Sequence, residues 1–194
     1  KIISFANQKG GVGKTTSAVN IAASLGILGY NVLLVDLDPQ GNSTSGVGIS
    51  KKSLKYSVQD LLVGGSDIQD VIIKTRFQNL YVVPSIISLA GVEFQLFDKE
   101  DSHIELKKAL LNVKDYYDYI IIDCPPSLGM LTINALSASD GVIIPMQCEF
   151  YALEGLSQLM ITVSRIKNLY NSKLTVIGIL VTMYNKRLLL SLPG

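Results

Sequence analysis

Six short, largely apolar runs punctuate the chain, at residues 2–6, 32–35, 80–83, 119–122, 142–145 and 176–181. None shows the apolar–polar alternation of a strand with one wet face. A run that is apolar throughout is covered on both faces, which is the habit of a parallel sheet. Between the runs lie stretches with helical spacing. Leu153, Leu156, Met160 and Val163 recur at helical intervals with Arg165 and Lys167 towards the open side, and residues 103–116 form another amphipathic stretch. Strands alternating with helices through right-handed crossovers predict an α/β fold, a three-layer sandwich around a mostly parallel sheet. Residues 15–35 carry no charge and match a membrane span in length. Asn20, Ser24, Gly26, Gly29 and Asn31 interrupt them, however, and Gly29-Tyr30-Asn31 reads as a turn, so a buried helix followed by a buried strand is expected. Gly64-Gly65-Ser66 reads as a loop, and His103 as a solvated residue at a helix start with no catalytic part.

A length of 194 residues suits one domain, residues 1–194, able to bury a real core. With 48% hydrophobic and 17% charged residues, disorder is excluded as the main state. The formal net charge of +1 advertises no nucleic-acid or membrane partner, so any such binding needs a local patch or an oligomer. Cys124 and Cys148 are too few for a disulfide framework or a four-cysteine zinc site, which fits a reducing compartment. No basic-then-apolar leader opens the chain, and it starts at Lys1 without a Met, so a residue or two is expected to precede it. A soluble, cytoplasmic protein is the expectation.

Three polar clusters fall at the carboxyl ends of predicted strands: residues 7–16, 36–42 and 123–129. Ligands of parallel sheets bind beyond those ends, so three loops on one edge predict one site. The first cluster reads Lys9-Gly10-Gly11-Val12-Gly13-Lys14-Thr15-Thr16, between a strand and a helix. Its glycines let successive N–H groups point inward as an anion nest, and the helix N-terminus adds its positive dipole end. Lys14 would reach the terminal phosphates and the Thr15 hydroxyl would ligate Mg²⁺. Gln8 stands where the common phosphate-loop pattern has its first glycine, and a second lysine, Lys9, stands just ahead of the glycines. Asp36 and Asp38 close the second strand; two apart on an extended segment, both are expected to face the phosphates. Asp123 closes the apolar run 119–122, the form of a Mg²⁺-supporting strand. An aspartate at a strand end can also merely cap a turn, but three beside a phosphate loop favour chemistry.

With those residues in view, the chain resembles the ParA/Soj partitioning branch of the deviant Walker A ATPases, the ParA/MinD superfamily, which are phosphate-loop NTPases in fold. The resemblance rests on Lys9–Thr16, on Val35-Asp36-Leu37-Asp38-Pro39-Gln40-Gly41-Asn42 and on Asp123-Cys124-Pro125-Pro126-Ser127-Leu128-Gly129. Residues 144–155 and 182–187 add to it, and it runs from Lys1 to about Arg187. It implies two ATP-bound subunits dimerising face to face, with Lys9 reaching the partner's phosphates. It implies Lys9, Lys14 and Asp38 as the catalytic set, Asp38 positioning the water. Nucleotide contacts would come from Lys9, Gly10, Gly11, Val12, Gly13, Lys14, Thr15, Thr16, Glu149 and Met183, and Mg²⁺ support from Thr15, Asp36 and Asp123. It further implies a nucleoid-associated dimer that binds DNA without sequence preference, a ParB-type centromere-binding protein that stimulates hydrolysis, and cycling that segregates a chromosome or plasmid.

The chain departs from the family after Arg187, where Leu188-Leu189-Leu190-Ser191-Leu192-Pro193-Gly194 replaces a polar helix, so the family's final portion is expected to be absent and apolar surface left open. Arg187 is a candidate phosphate contact. A GTPase is excluded because Asn185-Lys186-Arg187 is followed by Leu188, not by the carboxylate that reads guanine. A MinD-like regulator lacks the Pro39–Asn42 run and has a membrane helix for which residues 188–194 are too short and uncharged. An iron–sulfur reductase would use Cys124 and Cys148, which read instead as inert thiols. A nucleotide-binding fragment without turnover is the non-catalytic alternative.

Overall fold

The computed structural model describes residues 1–97, 101–147 and 152–184, with the backbone alone at 152 and 153. Seven strands form one sheet: β1 (Ile2–Phe5), β2 (Val32–Asp36), β3 (Ile73–Lys74), β4 (Leu80–Val83), β5 (Tyr119–Asp123), β6 (Gly141–Gln147) and β7 (Thr175–Thr182). Their order is β3-β4-β2-β5-β1-β6-β7, and every pairing is parallel except β3 with β4. The sheet thus has the mostly parallel form that the apolar runs predict. All six predicted runs are strands. The seventh, β3, spans only two residues, too few to leave a pattern in sequence.

Helices cover both faces. On one face α1 (Lys14–Ile27) presses Ala18 and Ala22 onto Phe5, Val32, Leu34 and Ile121, with α2 (Asn42–Gly46) beyond its start. The other face carries α3 (Val58–Val63), α4 (Ile68–Val71), α5 (Val92–Phe97), α6 (Glu105–Leu111), α7 (Met130–Ala138) and α8 (Ala152–Leu169) over Leu33, Val35, Ile120, Ile122, Val142 and Ile144. Residues 33 and 35 face one layer while 32 and 34 face the other, so both sides of β2 are apolar because both are buried. The uncharged stretch 15–35 is the rest of α1, a turn at Gly29 and most of β2, and among the described residues no helix is long and apolar enough to cross a membrane.

Four expectations change. Residues 103–116 are not one helix: a 3₁₀ turn (Ser102–Ile104), α6 and a second 3₁₀ turn (Lys114–Tyr116) divide them. His103 lies in the first turn with its ring 3.9 Å from that of Tyr170, so it is stacked rather than freely solvated. In α8 the buried stripe is Leu159, Val163 and Ile166, with Leu156 half-buried; Met160 is 41% exposed because it falls to the outer side of that stripe, the side of the exposed Lys167. On β7, Ile177, Ile179 and Val181 stay largely exposed, since this strand is the sheet edge and pairs only with β6 among the described residues. The Gly64-Gly65-Ser66 loop is found between α3 and α4.

At Gly26 the end of α1 touches the turn before β4. A Cβ there would collide with the Gln78 carbonyl oxygen, while Asn79 Nδ2 donates to the Gly26 oxygen at 3.2 Å. Backbone cannot yield as a flexible side chain would. Gly26→Ala is expected to destabilise the protein by about 2 kcal/mol, read as a lowered urea midpoint; an unchanged midpoint would contradict this packing.

Candidate functional site

Parallel register sets three strand ends side by side. Phe5 pairs with Asp123, and Asp123 pairs with Asp36, so the loops after β1, β2 and β5 leave the same sheet edge. They meet in a cleft of about 360 Å³. Gly10, Gly11, Gly13, Lys14, Thr15 and Thr16 form one wall, Asp38, Gln40 and Asn42 another, and Pro126 and Met183 complete it. The convergence of clusters read from sequence is therefore observed.

The phosphate loop is fastened from both sides. Asn7 Nδ2 donates to the Pro145 carbonyl at 2.8 Å, while its Oδ1 accepts the Lys9 N–H at 3.0 Å. Thr182 Oγ1 donates to the Val12 carbonyl at 2.7 Å. Gly11 and Gly13 sit at φ 74° and 84°, the left-handed region that turns N–H groups inward. Gly13 is also the N-cap of α1, and no side chain caps that end, so its first-turn donors face the cleft's anion site. Lys14 is buried, and its Nζ donates to the Lys9 carbonyl at 2.9 Å. Burial lowers its pKa, against the pull of Asp123, Cys124 and Asp38. Lys9 is exposed on the loop.

The carboxylates have different employment. Asp36 Oδ2 accepts both the N–H and the hydroxyl of Thr44, at 2.8 and 2.7 Å, and its Oδ1 accepts the Asp38 N–H at 3.2 Å. Burial first, and then the charge of Asp123, push its pKa to about 7 against those hydrogen bonds. Asp38 lines the cleft; its Oδ1 accepts the Gln40 N–H at 2.9 Å and its carbonyl accepts the Gly41 N–H at 2.8 Å. Asp36 and Asp38 were expected to face alike. They part because β2 stops at Asp36 and the chain turns at residues 38–41, so the period of two no longer applies. Asp123 is fully buried. Its Oδ2 accepts the Ser43 hydroxyl at 2.7 Å, whereas Oδ1 has no hydrogen-bond partner among the described residues. Burial raises its pKa to about 6, offset by the nearby Ser43 and Thr15 hydroxyls and by Lys14, while Asp38 adds to the rise.

The sequence profile described as "AAA domain" matches residues 1–176. The sporulation initiation inhibitor protein Soj of Bacillus subtilis is 56% identical over 187 residues, 96% of this chain and 74% of that protein. The chromosome-partitioning ATPase Soj of Treponema pallidum is 50% identical over 187 residues, 96% of this chain and 73% of that protein. The chain belongs to the ParA/Soj family of partitioning ATPases.

Among solved structures, a ParA/Soj-type fold recurs in a Mycobacterium smegmatis protein named cobyrinic acid a,c-diamide synthase, with ADP and magnesium bound. It matches at TM-score 0.93 and 41% identity, over 96% of this chain and 76% of that one. A plasmid partition protein of Borrelia burgdorferi matches at TM-score 0.83 and 36% identity, over 96% and 80%.

A magnesium ion fits this ParA/Soj-type site. It needs one or two carboxylates, with phosphates and waters filling the rest of an octahedron, and the unpartnered buried Oδ1 of Asp123 supplies such an oxygen beside Thr15. Among the described residues no three His, Cys, Asp or Glu side chains form a dedicated metal cage. Cys124 is buried, and burial raises its thiol pKa, in keeping with an inert thiol. Glu149, Cys148 and Arg187 lie outside the described residues. Sequence reading gave no role to Asn7, Ser43, Thr44 or Thr182. The small hydroxyls directly after Pro39–Asn42 were the one available signal, since they sit within reach of the strand ends that carry the aspartates.

A carboxyl whose folded pKa lies above its unfolded 3.8 holds a proton that the unfolded chain releases. Its contribution is full below about pH 4 and is lost as pH rises towards about 7. Free of nucleotide and Mg²⁺, the protein is expected to lose stability across that window, with a shallower slope in Asp36→Asn; urea unfolding at several pH values measures both.

Proposed function

We propose that this chain is a Mg²⁺-dependent ATPase that dimerises on ATP, binds DNA without sequence preference and hydrolyses ATP when a ParB-type centromere-binding protein stimulates it, in the cytoplasm on the nucleoid. The observation that carries the reading is one cleft joining the Lys9–Thr16 loop to Asp38, above a buried Asp123 with a free oxygen. The likeness to partition proteins, 56% and 50% identical, exceeds the 41% to the mycobacterial synthase, so the partition role is the one carried over.

The glycine nest and the α1 N-terminus receive the phosphates, and Lys14 exchanges the Lys9 carbonyl for a phosphate oxygen. Mg²⁺, when bound, neutralises charge on the β- and γ-phosphates. Thr15 and Asp123 would hold it, and Asp36 would support it from behind by fixing the loop that carries Asp38. Asp38 orients the attacking water and accepts its proton, aimed by the Gln40 N–H. Val12, Met183 and Glu149 belong to the nucleotide-binding set, Met183 from the end of β7. Lys9 reaches across to the phosphates of the partner subunit. An isologous dimer presents any basic patch twice on one side of its axis, which gives DNA binding that depends on ATP.

Removing the water-holding group slows chemistry alone, whereas removing metal support weakens binding. Asp38→Ala is expected to give a long-lived ATP-bound dimer without turnover, and Asp36→Ala and Asp123→Ala to lose the dimer together with Mg²⁺–ATP. Sizing chromatography with Mg²⁺–ATP, run beside phosphate release, tests this; a monomeric or normally hydrolysing Asp38→Ala removes Asp38 from the role. Lys9→Ala should bind ATP as the wild type does yet remain monomeric, and dimerisation at wild-type level would refute action across the interface.

A further inference from the structure

The first residues of α2 tie together the ends of β2 and β5 and the loop after β4, and two hydroxyls do the tying. Thr44 bonds Asp36 through N–H and hydroxyl, and its hydroxyl oxygen in turn accepts the Ser85 N–H from the loop after β4 at 2.9 Å. Its neighbour Ser43, fully buried, reaches the other way and donates to Asp123 Oδ2 across a gap of 80 residues in sequence. The two hydroxyls are not equivalent in effect. Both oxygens of Asp36 are taken up, but Ser43 occupies only one oxygen of Asp123 and leaves Oδ1 buried without a hydrogen-bond partner.

We propose that Ser43 is a positioning residue for metal binding: by holding Asp123 Oδ2 it aims Oδ1 at the Mg²⁺ site formed with Thr15. The proposal rests on the Mg²⁺–ATP reading given above. The terminal torsion of an aspartate is broad, so a carboxylate with neither oxygen held samples many orientations. The buried Ser43 hydroxyl on Oδ2, with the Thr15 hydroxyl and Lys14 close by, narrows that freedom and directs the remaining lone pairs. Partners of metal-supporting side chains act this way generally, by orienting the group that the ion meets. The same contact makes the loop after β2 sense the ion, because the side chain that steadies Asp123 is five residues beyond Asp38.

The test is a titration of fluorescent ATP analogue binding against Mg²⁺, starting from EDTA, for wild type, Ser43→Ala and Ser43→Thr. Ser43→Ala is expected to need about tenfold more Mg²⁺ for half-maximal strengthening of nucleotide binding, with nucleotide affinity in EDTA unchanged. Ser43→Thr, which keeps the hydroxyl, should restore the wild-type requirement. If Ser43→Ala does not fold, Ser43→Cys takes its place, since a thiol of similar size donates only weakly. A wild-type Mg²⁺ requirement in the variant overturns the proposal. Equal loss of nucleotide binding with and without Mg²⁺ overturns it too, because that is the mark of a collapsed loop. A wild-type protein indifferent to Mg²⁺ overturns the underlying Mg²⁺–ATP reading and this proposal with it.

Discussion

Asp36 and Asp123 stand opposite one another on adjacent parallel strands, both fully buried, and the rest of the site is arranged around the cost of that pairing. Burying a carboxylate is unfavourable unless hydrogen bonds or a cation compensate it, and two together repel. The compensation comes from three directions: Thr44 and the Asp38 amide for one, Ser43 for the other, and the buried ammonium of Lys14 nearby. The compensation is incomplete, as the raised pKa values show. A divalent cation at this edge would relieve what remains. The strain that weakens the protein alone is thereby a source of affinity for its ligand.

This arrangement holds the two walls of the cleft by different sets of contacts. The Lys9–Thr16 loop is fastened to β6 and β7 through Asn7 and Thr182. Residues 38–41 make a tight turn held by the Asp38 N–H on Asp36, the Gly41 N–H on the Asp38 carbonyl, the Lys51 ammonium on the Gln40 carbonyl and the Ser45 N–H on the Gly41 carbonyl. A change of charge at the aspartates therefore reaches Asp38 first. Such coupling is what a nucleotide switch requires: a small set of contacts that both ligand and partner can bias.

The sheet was legible because its inner strands are buried on both faces and so carry unbroken apolar runs, β2 and β5 being the clearest cases. β3 escaped because two residues hold no period. The division of residues 103–116 escaped because apolar spacing alone does not show where a helix breaks at Asn112. For the site, glycines and a lysine between a strand and a helix pointed to phosphate through backbone geometry, and the aspartates followed from their places at strand ends. The hydroxyls of Ser43 and Thr44 did not announce themselves. A serine after a turn is ordinary in sequence, and only the register of β2 with β5 reveals that its oxygen meets an aspartate 80 residues away.

β1 comes first among the described strands in sequence, yet it lies inside the sheet between β5 and β6. The loop that follows it is held by Pro145 and Thr182, residues 138 and 170 positions downstream of their partners. Loop closure over such spans is slow and comes late in folding. The phosphate loop, written near the start of the chain, therefore takes its shape only after almost all the described residues have been synthesised. Until β7 has docked the motif is present without the site, and nucleotide has no finished cradle to template.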